Sequence, residues 1–290
     1  MFNGSMVALV TPFNNGEVDF KTLEELVEFH LKSGTDGIVP CGTTGESPTL
    51  THPEHRQVIE RIVKIVNGKV PVIAGTGSNS TAEAIELTAF AKKVGADATL
   101  QVTPYYNKPT QEGFFQHFAA IAEEVDLPIV LYNIPGRCGA GMTAATIARL
   151  AKIENIVAVK EATGQLDVSS EIANLCDITI LSGDDSLTLP ICSVGGKGVI
   201  SVMANIVPND VKEMTDSILE GDFASARKWH NKLFKLSRVM LSMATNPIPI
   251  KAAMAILGMA SEEMRLPMTP LENAQKETLR KLLKDYGLNA

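Results

Sequence analysis

Short apolar runs alternate along the chain with amphipathic segments. Eight of these runs lack an in–out alternation and are typical of strands buried on both faces. They lie at residues 5–10, 37–40, 70–75, 98–102, 128–133, 156–161, 178–183 and 198–202. Between them, apolar residues recur at helical spacing, as Leu23, Leu26, Val27 and Leu31 do. The pattern therefore predicts eight strands, each followed by a helix.

Eight strand–helix units are the repeat of a (β/α)8 barrel, which takes about 250 residues. The alternative is a doubly wound open sheet, which favours a glycine-rich phosphate fingerprint directly after the first strand. The segment at that point, TPFNNGEVD, contains no such fingerprint. We therefore predict an α/β protein of the TIM-barrel class.

The strand pattern stops at about residue 220, and helical segments follow without a Ser/Gly-rich linker before them. A linker of that kind is the usual mark of an independent, loosely attached unit. We therefore predict a catalytic barrel over residues 1–222 and a C-terminal helical domain over 223–290 that packs on it.

Composition and charge narrow the class of protein. The 290 residues are 45% hydrophobic, and 26 basic and 33 acidic side chains give a net charge of −7, which argues against a nucleic-acid partner. No apolar run approaches the roughly 20 residues of a membrane helix, and the first residues lack the basic region of a signal peptide. Four cysteines without CxxC spacing favour a reduced compartment. We expect a cytoplasmic protein without a membrane partner.

In a barrel of this class, active residues collect at the C-terminal ends of the strands. The rule selects these side chains: Thr43, Thr44, Tyr105, Tyr106, Tyr132, Arg137, Lys160 and Glu161. Lys160 stands out because burial disfavours an ammonium and favours the neutral, nucleophilic amine. Such a lysine forms a Schiff base with a ketone, and a tyrosine or threonine can move the protons.

Each of these side chains also has a structural interpretation. Lys160 could extend along the barrel rim or pair with Glu161, Tyr132 could be a core aromatic, and Arg137 could be a solvated loop charge. The five histidines show neither HExxH nor HxH spacing, which gives a catalytic metal little support. The glycine-rich segments CGTTGES and GTGSNST do not fit GxxxxGK[ST], which disfavours nucleotide binding.

Five segments in one order resemble a known family. CGTTGES, VTPYYNKP, YNIPGR, KEATG and RLPMTP together resemble the 4-hydroxy-tetrahydrodipicolinate synthases, also called dihydrodipicolinate synthases, of the pyruvate-dependent class I aldolase group. The resemblance implies a barrel with a C-terminal helical domain, usually in a homotetramer. It implies condensation of pyruvate with L-aspartate 4-semialdehyde on the route to lysine, through a covalent lysine imine and without a metal or other cofactor.

The resemblance also implies residue roles in the imine chemistry. Lys160 matches the lysine that forms the Schiff base with pyruvate, and Tyr132 matches the tyrosine that transfers protons. Thr43 matches the threonine that connects this tyrosine to a second one, here Tyr106, supplied by the neighbouring subunit.

Four further positions match residues that bind the substrates. Thr44 is expected beside the pyruvate carboxylate, and Gly183 and Ile200 are expected to line the pyruvate pocket. Arg137 matches the arginine that receives the carboxylate of the semialdehyde. The family often reads Arg-Thr-Gly at this point, whereas Cys138 follows here; its small side chain is expected to leave the function intact.

In feedback-inhibited members of the family, lysine binds at a subunit interface. The matching positions here are Pro48, His52, His55, Asn79, Glu83 and Tyr105. Glu83 could pair with the α-ammonium of lysine, while His52 and His55, three residues apart, would face one way and flank the ε-ammonium. The alternative is that these are ordinary polar residues of an interface.

Two other functions remain to be distinguished. A sialic-acid-type lyase or another pyruvate aldolase would share Lys160 and Tyr132. Arg137 favours the synthase, because a short aldehyde that carries a carboxylate needs a guanidinium. A non-catalytic barrel that binds a small molecule would leave the whole set of side chains idle.

Overall fold

The computed structural model describes residues 2–290, with ten strands. They are β1 Gly4–Ala8, β2 Phe13–Asn14, β3 Glu17–Val18, β4 Gly37–Val39, β5 Ile73–Gly75, β6 Ala98–Val102, β7 Ile129–Asn133, β8 Ile156–Glu161, β9 Thr179–Ser182 and β10 Gly198–Ser201. Eight of them coincide with the predicted apolar runs, although β1 begins one residue before its run. The exceptions, β2 and β3, form an antiparallel hairpin around Asn15 and Gly16, which both have positive φ. An Asn-Gly turn favours such a hairpin, but two-residue strands have no periodicity to detect.

The eight predicted strands are all parallel and close into a ring. Their order is β4-β1-β10-β9-β8-β7-β6-β5. The ends of this order meet, because Ile38 in β4 forms a parallel bridge with Val72, one residue before β5. The Gly75 amide also donates to the Pro40 carbonyl at 2.9 Å. The prediction of a (β/α)8 barrel is therefore confirmed, and the open-sheet alternative is wrong.

Helices follow the strands as the pattern predicts. They are α1 Phe20–Lys32, α2 His52–Val66, α3 Thr81–Val94, α4 Gln111–Glu124, α5 Pro135–Cys138, α6 Ala144–Leu150, α7 Leu166–Leu175, α8 Thr188–Ser193, α9 Pro208–Leu219, α10 Phe223–Met243, α11 Ile248–Ile256 and α12 Asn273–Tyr286. Three short 3-10 helices lie at Ser47–Thr49, Asp185–Leu187 and Met203–Asn205. Thr51 and Glu54 form a complete capping box at the start of α2, which defines where that helix begins.

The last three helices form the expected extension, and α10 begins at Phe223. Buried side chains of all three, including Leu236, Met254 and Leu283, belong to one apolar cluster with barrel residues. The extension therefore packs on the barrel, and the division into two domains at residue 222 stays a prediction. Within residues 2–290, no single helix has the length and hydropathy to cross a membrane; α10 and α11 pass such a test only as a pair bent by 115°.

The RLPMTP segment fastens the extension to the barrel. The Arg265 guanidinium donates to both carboxylate oxygens of Glu54, at 2.8 and 2.5 Å, and to the Thr49 carbonyl at 2.9 Å. Hydrogen bonding to Arg265 lowers the pKa of Glu54 to about 2. The same carboxylate caps α2, so this contact fixes the start of a barrel helix against the C-terminal segment.

Candidate active site

Strand alternation directs two reactive side chains into the barrel. Side chains two residues apart on a strand share a face, and Ala158 and Val130 belong to the cluster inside the barrel. Lys160 and Tyr132 lie two residues further along β8 and β7, and they are register partners. The Lys160 Nζ lies 4.2 Å from the centre of the Tyr132 ring. The two side chains therefore meet at the C-terminal mouth of the barrel.

Lys160 is 5% exposed and forms no salt bridge among residues 2–290. The alternative that it pairs with Glu161 is wrong, because the Glu161 carboxylate accepts from Asn133 Nδ2 at 3.1 Å and from the Thr163 amide at 2.6 Å. Burial lowers the pKa of Lys160 to about 8, although the nearby Asp184 carboxylate opposes the shift. An amine with this pKa is partly neutral at pH 7 and can act as a nucleophile.

Tyr132 is equally buried, and burial raises the pKa of its phenol. The guanidinium of Arg137 and the neighbouring Thr43 side chain oppose that rise in the pKa. The phenol is consequently protonated at neutral pH and able to donate. Beside it stands a lysine whose pKa has moved in the opposite direction, so both groups favour their neutral forms.

A cavity of about 210 Å³ opens above these side chains. It has the space of roughly seven waters at about 30 Å³ each, which suits a small organic acid. Predicted residues that line it are Thr43, Thr44, Tyr132, Arg137, Lys160 and Gly183. At Gly183, an added Cβ would lie 2.6 Å from the Ala162 Cβ and 3.2 Å from the Lys160 Cε. Glycine therefore keeps the space beside the amine open.

Two predicted residues lie outside this lining. Ile200 is fully buried in the interior cluster, and Val202 lines the cavity in its place, because alternate residues of the strand and its continuation face the same way. Tyr106 is 91% exposed in the single chain, with a left-handed φ of +73°. A role for Tyr106 in catalysis consequently requires another subunit.

Among the lining residues that sequence reasoning missed are two acids and an amide, Asp184, Asp185 and Asn246. The acids follow β9 after a single glycine, so the rule of strand ends could have found them. Asn246 belongs to the link between α10 and α11 and has no such signal. Its side-chain amide donates to Thr44 Oγ1, and its carbonyl accepts from Arg137 Nη2, both at 2.9 Å. Asn246 thereby positions two predicted substrate-binding residues, Thr44 and Arg137.

A buried ion pair contacts the turn that carries Thr43. Lys251 Nζ in α11 lies 2.5 Å from Glu46 Oε1, and the two side chains are 1% and 3% exposed. Lys251 also donates to the Glu263 carbonyl at 2.7 Å and lies 4.3 Å from the Phe13 ring centre. The Glu46 amide donates to the Thr43 carbonyl at 3.1 Å, and Glu46 has a left-handed φ of +55°. The extension thus contacts the turn that carries Thr43.

A second cavity, of about 340 Å³, adjoins the first. Its lining includes Pro48, His52, His55, Glu83 and Tyr105, five of the six predicted effector positions. The sixth, Asn79, lies beside it, where its side-chain amide donates to the Tyr105 carbonyl at 3.1 Å.

Glu83 is the acidic residue that lines this second cavity. Its carboxylate lies 3.1 Å from His52 Nε2 and accepts from the Ser78 hydroxyl. In a complete capping box at the start of α3, the same carboxylate would instead accept from the Ser80 amide. Burial lowers the pKa of His55, whose Nε2 lies 2.7 Å from the Gly75 carbonyl. Thr43 and Arg137 line both cavities, so a ligand in one would contact residues of the other.

Across residues 2–290, no group of three or more His, Cys, Asp and Glu side chains is arranged to hold a metal ion.

Comparisons with known proteins agree with this geometry. The model of the dihydrodipicolinate synthetase family matches residues 1–286. The 4-hydroxy-tetrahydrodipicolinate synthase of Geotalea daltonii is 56% identical over 290 residues, which cover 99% of this chain and 100% of that protein.

Two similar solved structures contain bound small molecules. The chloride-inhibited dihydrodipicolinate synthase of Acinetobacter baumannii, complexed with pyruvate, is 47% identical with a TM-score of 0.97, over 99% of this chain and 100% of that one. The enzyme of Cyanidioschyzon merolae, with lysine bound, is 43% identical with a TM-score of 0.95, over 99% of both chains.

Proposed function

This chain belongs to the dihydrodipicolinate synthetase family, and we propose that Lys160 performs its chemistry by forming an imine with pyruvate. The reaction is that of a 4-hydroxy-tetrahydrodipicolinate synthase: pyruvate condenses with L-aspartate 4-semialdehyde in lysine biosynthesis. The observation that carries the proposal is the buried, unpaired Lys160 in a small cavity beside Tyr132.

The steps follow from the chemistry of an amine and a ketone. The neutral Lys160 amine adds to the C2 carbonyl of pyruvate, and loss of water gives a protonated imine. Loss of a C3 proton gives an enamine, whose C3 attacks the aldehyde carbon of the second substrate. The aldehyde oxygen takes up a proton and becomes the hydroxyl, and the α-ammonium of that substrate loses a proton. The resulting amine attacks C2, closes the ring and releases the Lys160 amine. No redox partner or metal is needed, because the imine itself is the electron sink.

Tyr132 is proposed as the group that moves protons in these steps. It lies next to Lys160, and burial keeps its phenol protonated. Thr43 lines the same cavity as Tyr132, and we propose that it passes protons toward the loop and that Tyr106 of a neighbouring subunit continues this path. The exposure of Tyr106 in the single chain supports an intersubunit role. The homotetramer and the cytoplasmic location expected from the sequence stay predictions.

Thr44, Gly183 and Arg137 are proposed to select the substrates. The Thr44 hydroxyl and the open space at Gly183 suit the three-carbon acid beside Lys160. Arg137 lies in the short helix α5 at the mouth, where a guanidinium can bind the carboxylate of the semialdehyde in two-pronged geometry. Ile200 supports the pocket from inside the barrel rather than by contact.

The cavity around Glu83 is proposed as a site for L-lysine that inhibits the enzyme. An acidic side chain between His52 and Tyr105 suits an amino acid with two ammonium groups. The related Cyanidioschyzon merolae enzyme has a structure with lysine bound. Thr43 and Arg137 line both cavities, which supplies a physical route from this ligand to the catalytic residues.

A turnover assay separates the candidate functions. The purified enzyme is given pyruvate with L-aspartate 4-semialdehyde, and in parallel N-acetylneuraminate, whose cleavage would release pyruvate. The proposal expects condensation in the first assay and no cleavage in the second. Cleavage of N-acetylneuraminate at the higher rate would favour the sialic-acid-type lyase, and inactivity in both assays would favour a binding protein.

A further inference from the structure

Two adjacent carboxylates of the active-site cavity have different surroundings. Asp185 is fixed: its carboxylate accepts from the Ser201 hydroxyl and from the amides of Val202, at 3.0 Å, and Met203, at 3.4 Å. The Asp184 carboxylate has no hydrogen bond or salt bridge among residues 2–290. The Asp185 carboxylate therefore stabilises the fold, whereas the Asp184 carboxylate has no partner within the described residues.

The backbone holds Asp184 firmly although its side chain is free. Its amide donates to Ser182 Oγ at 3.2 Å, and its carbonyl accepts from the hydroxyls of Ser182, at 2.8 Å, and Thr188, at 3.3 Å. The side chain lines the same cavity as Lys160 and Arg137. A carboxylate that has no partner in the fold, on a backbone held by hydrogen bonds, is available to contact a ligand in this cavity.

The second substrate has a group that requires such a contact. At the end opposite its aldehyde, L-aspartate 4-semialdehyde carries a carboxylate and an α-ammonium. Arg137 is the proposed partner of the carboxylate. The ammonium would then lie in a cavity whose other charged side chains are the cations Lys160 and Arg137 and the committed Asp185. A buried ammonium without an acceptor is costly, and Asp184 has both carboxylate oxygens available.

Resting on the proposed function, we infer that Asp184 binds the α-ammonium of the second substrate, so that Asp184 and Arg137 together select an α-amino acid. Burial raises the pKa of the Asp184 carboxyl, while Lys160 and Arg238 oppose the rise. A bound ammonium adds a further positive charge and favours the ionised carboxylate. The aldehyde end of the substrate then points toward the pyruvate carbon on Lys160.

A different role for Asp184 would be to stabilise the positive charge of the Lys160 imine. The two roles affect different steps. An acid that serves the imine acts before any aldehyde enters, and it acts equally whichever aldehyde follows. An acid that binds the ammonium matters only for an aldehyde that carries one.

The test compares two aldehydes on one enzyme preparation. Succinate semialdehyde has the chain and carboxylate of the natural substrate but lacks the ammonium. Succinate semialdehyde has no amine to release Lys160, so both aldehydes are compared in a single turnover: wild type and Asp184→Asn are first loaded with pyruvate, and the second-order rate constant for consumption of each aldehyde is measured. The readout is the rate constant for L-aspartate 4-semialdehyde divided by that for succinate semialdehyde, because any loss of folded enzyme cancels from this ratio.

We expect the preference for L-aspartate 4-semialdehyde over succinate semialdehyde to fall roughly ten- to a hundred-fold in Asp184→Asn. This is the range for loss of a hydrogen bond between charged groups. Asp184→Glu, which keeps the charge, should retain more of the preference than Asp184→Asn. Asp177→Asn makes the same change at an exposed site and should leave the ratio at the wild-type value. An unchanged ratio in Asp184→Asn would overturn the inference. Failure of wild type to form a pyruvate adduct on Lys160 would instead contradict the proposed function.

Discussion

Lys160 and Tyr132 face each other from neighbouring strands, with the lysine Nζ 4.2 Å from the centre of the tyrosine ring. Both side chains are 5% exposed. Burial lowers the pKa of the amine and raises the pKa of the phenol, because it disfavours each charged form. Burial of both side chains thus gives a neutral nucleophile, Lys160, and a protonated donor, Tyr132, at the same pH.

The pH dependence of imine formation should reflect the lowered pKa of Lys160. With a pKa of about 8, about one amine in ten is neutral at pH 7, against roughly one in three thousand for an ordinary lysine. The rate of imine formation should therefore rise about tenfold per pH unit below pH 7 and level off above about pH 8. Borohydride trapping at timed intervals with pyruvate alone measures this rate. A rate that still rises steeply at pH 10 would mean that burial does not lower the pKa.

Arg137→Ala should weaken use of the semialdehyde more than it weakens imine formation with pyruvate. The guanidinium lies at the mouth and is held by the Asn246 carbonyl, whereas the pyruvate carbonyl must reach the deeper Lys160. Loss of a charged hydrogen bond predicts a roughly ten- to hundred-fold rise in KM for the semialdehyde. Steady-state kinetics in each substrate, with Arg149→Ala as an exposed control, measure the effect. Equal losses for both substrates would indicate that Arg137 is structural.

Glu83→Ala should abolish inhibition by L-lysine. Glu83 is the acid of the second cavity and lies 3.1 Å from His52, so its removal leaves the ligand's ammonium without a partner. Activity is titrated with L-lysine in wild type, Glu83→Ala and the control Glu86→Ala, an acid on the same helix that contacts Arg56 instead. We expect inhibition in wild type and Glu86→Ala only. Full wild-type activity at tens of millimolar lysine, far above a dissociation constant of ~1 mM, would rule out the site.

The ion pair of Lys251 and Glu46 should be important for stability. Lys251→Met keeps much of the volume but leaves the Glu46 carboxylate buried without its partner, which costs about 3–5 kcal/mol. Urea unfolding curves of wild type, Lys251→Met and the double variant with Glu46→Gln measure the free energy of unfolding. The double variant should recover part of the loss, because no charge remains unpaired. A single variant as stable as wild type would show that the pair contributes little.

The sequence predicted the barrel because apolar runs and helical periodicity are local properties. The rule that active residues collect at the C-terminal ends of barrel strands also selected Lys160 and Tyr132, which the structure brings together as register partners. The contacts of Asn246 could not be predicted, because they join it to residues 202 and 109 positions away that only the folded chain brings near. Tyr106 illustrates another limit: its side chain is exposed in one subunit, so its role depends on a partner that the sequence does not describe.

The central claim is that Lys160 is the residue that binds pyruvate covalently. Incubation with pyruvate and borohydride, followed by peptide mapping with mass spectrometry, tests it most directly. Lys251 is the internal control, because it is also buried but is neutralised by Glu46 outside the cavity. We expect one reduced pyruvate adduct, on Lys160, and no adduct in Lys160→Ala. An adduct on Lys251 or on any other lysine, or active enzyme without an adduct, would contradict the account.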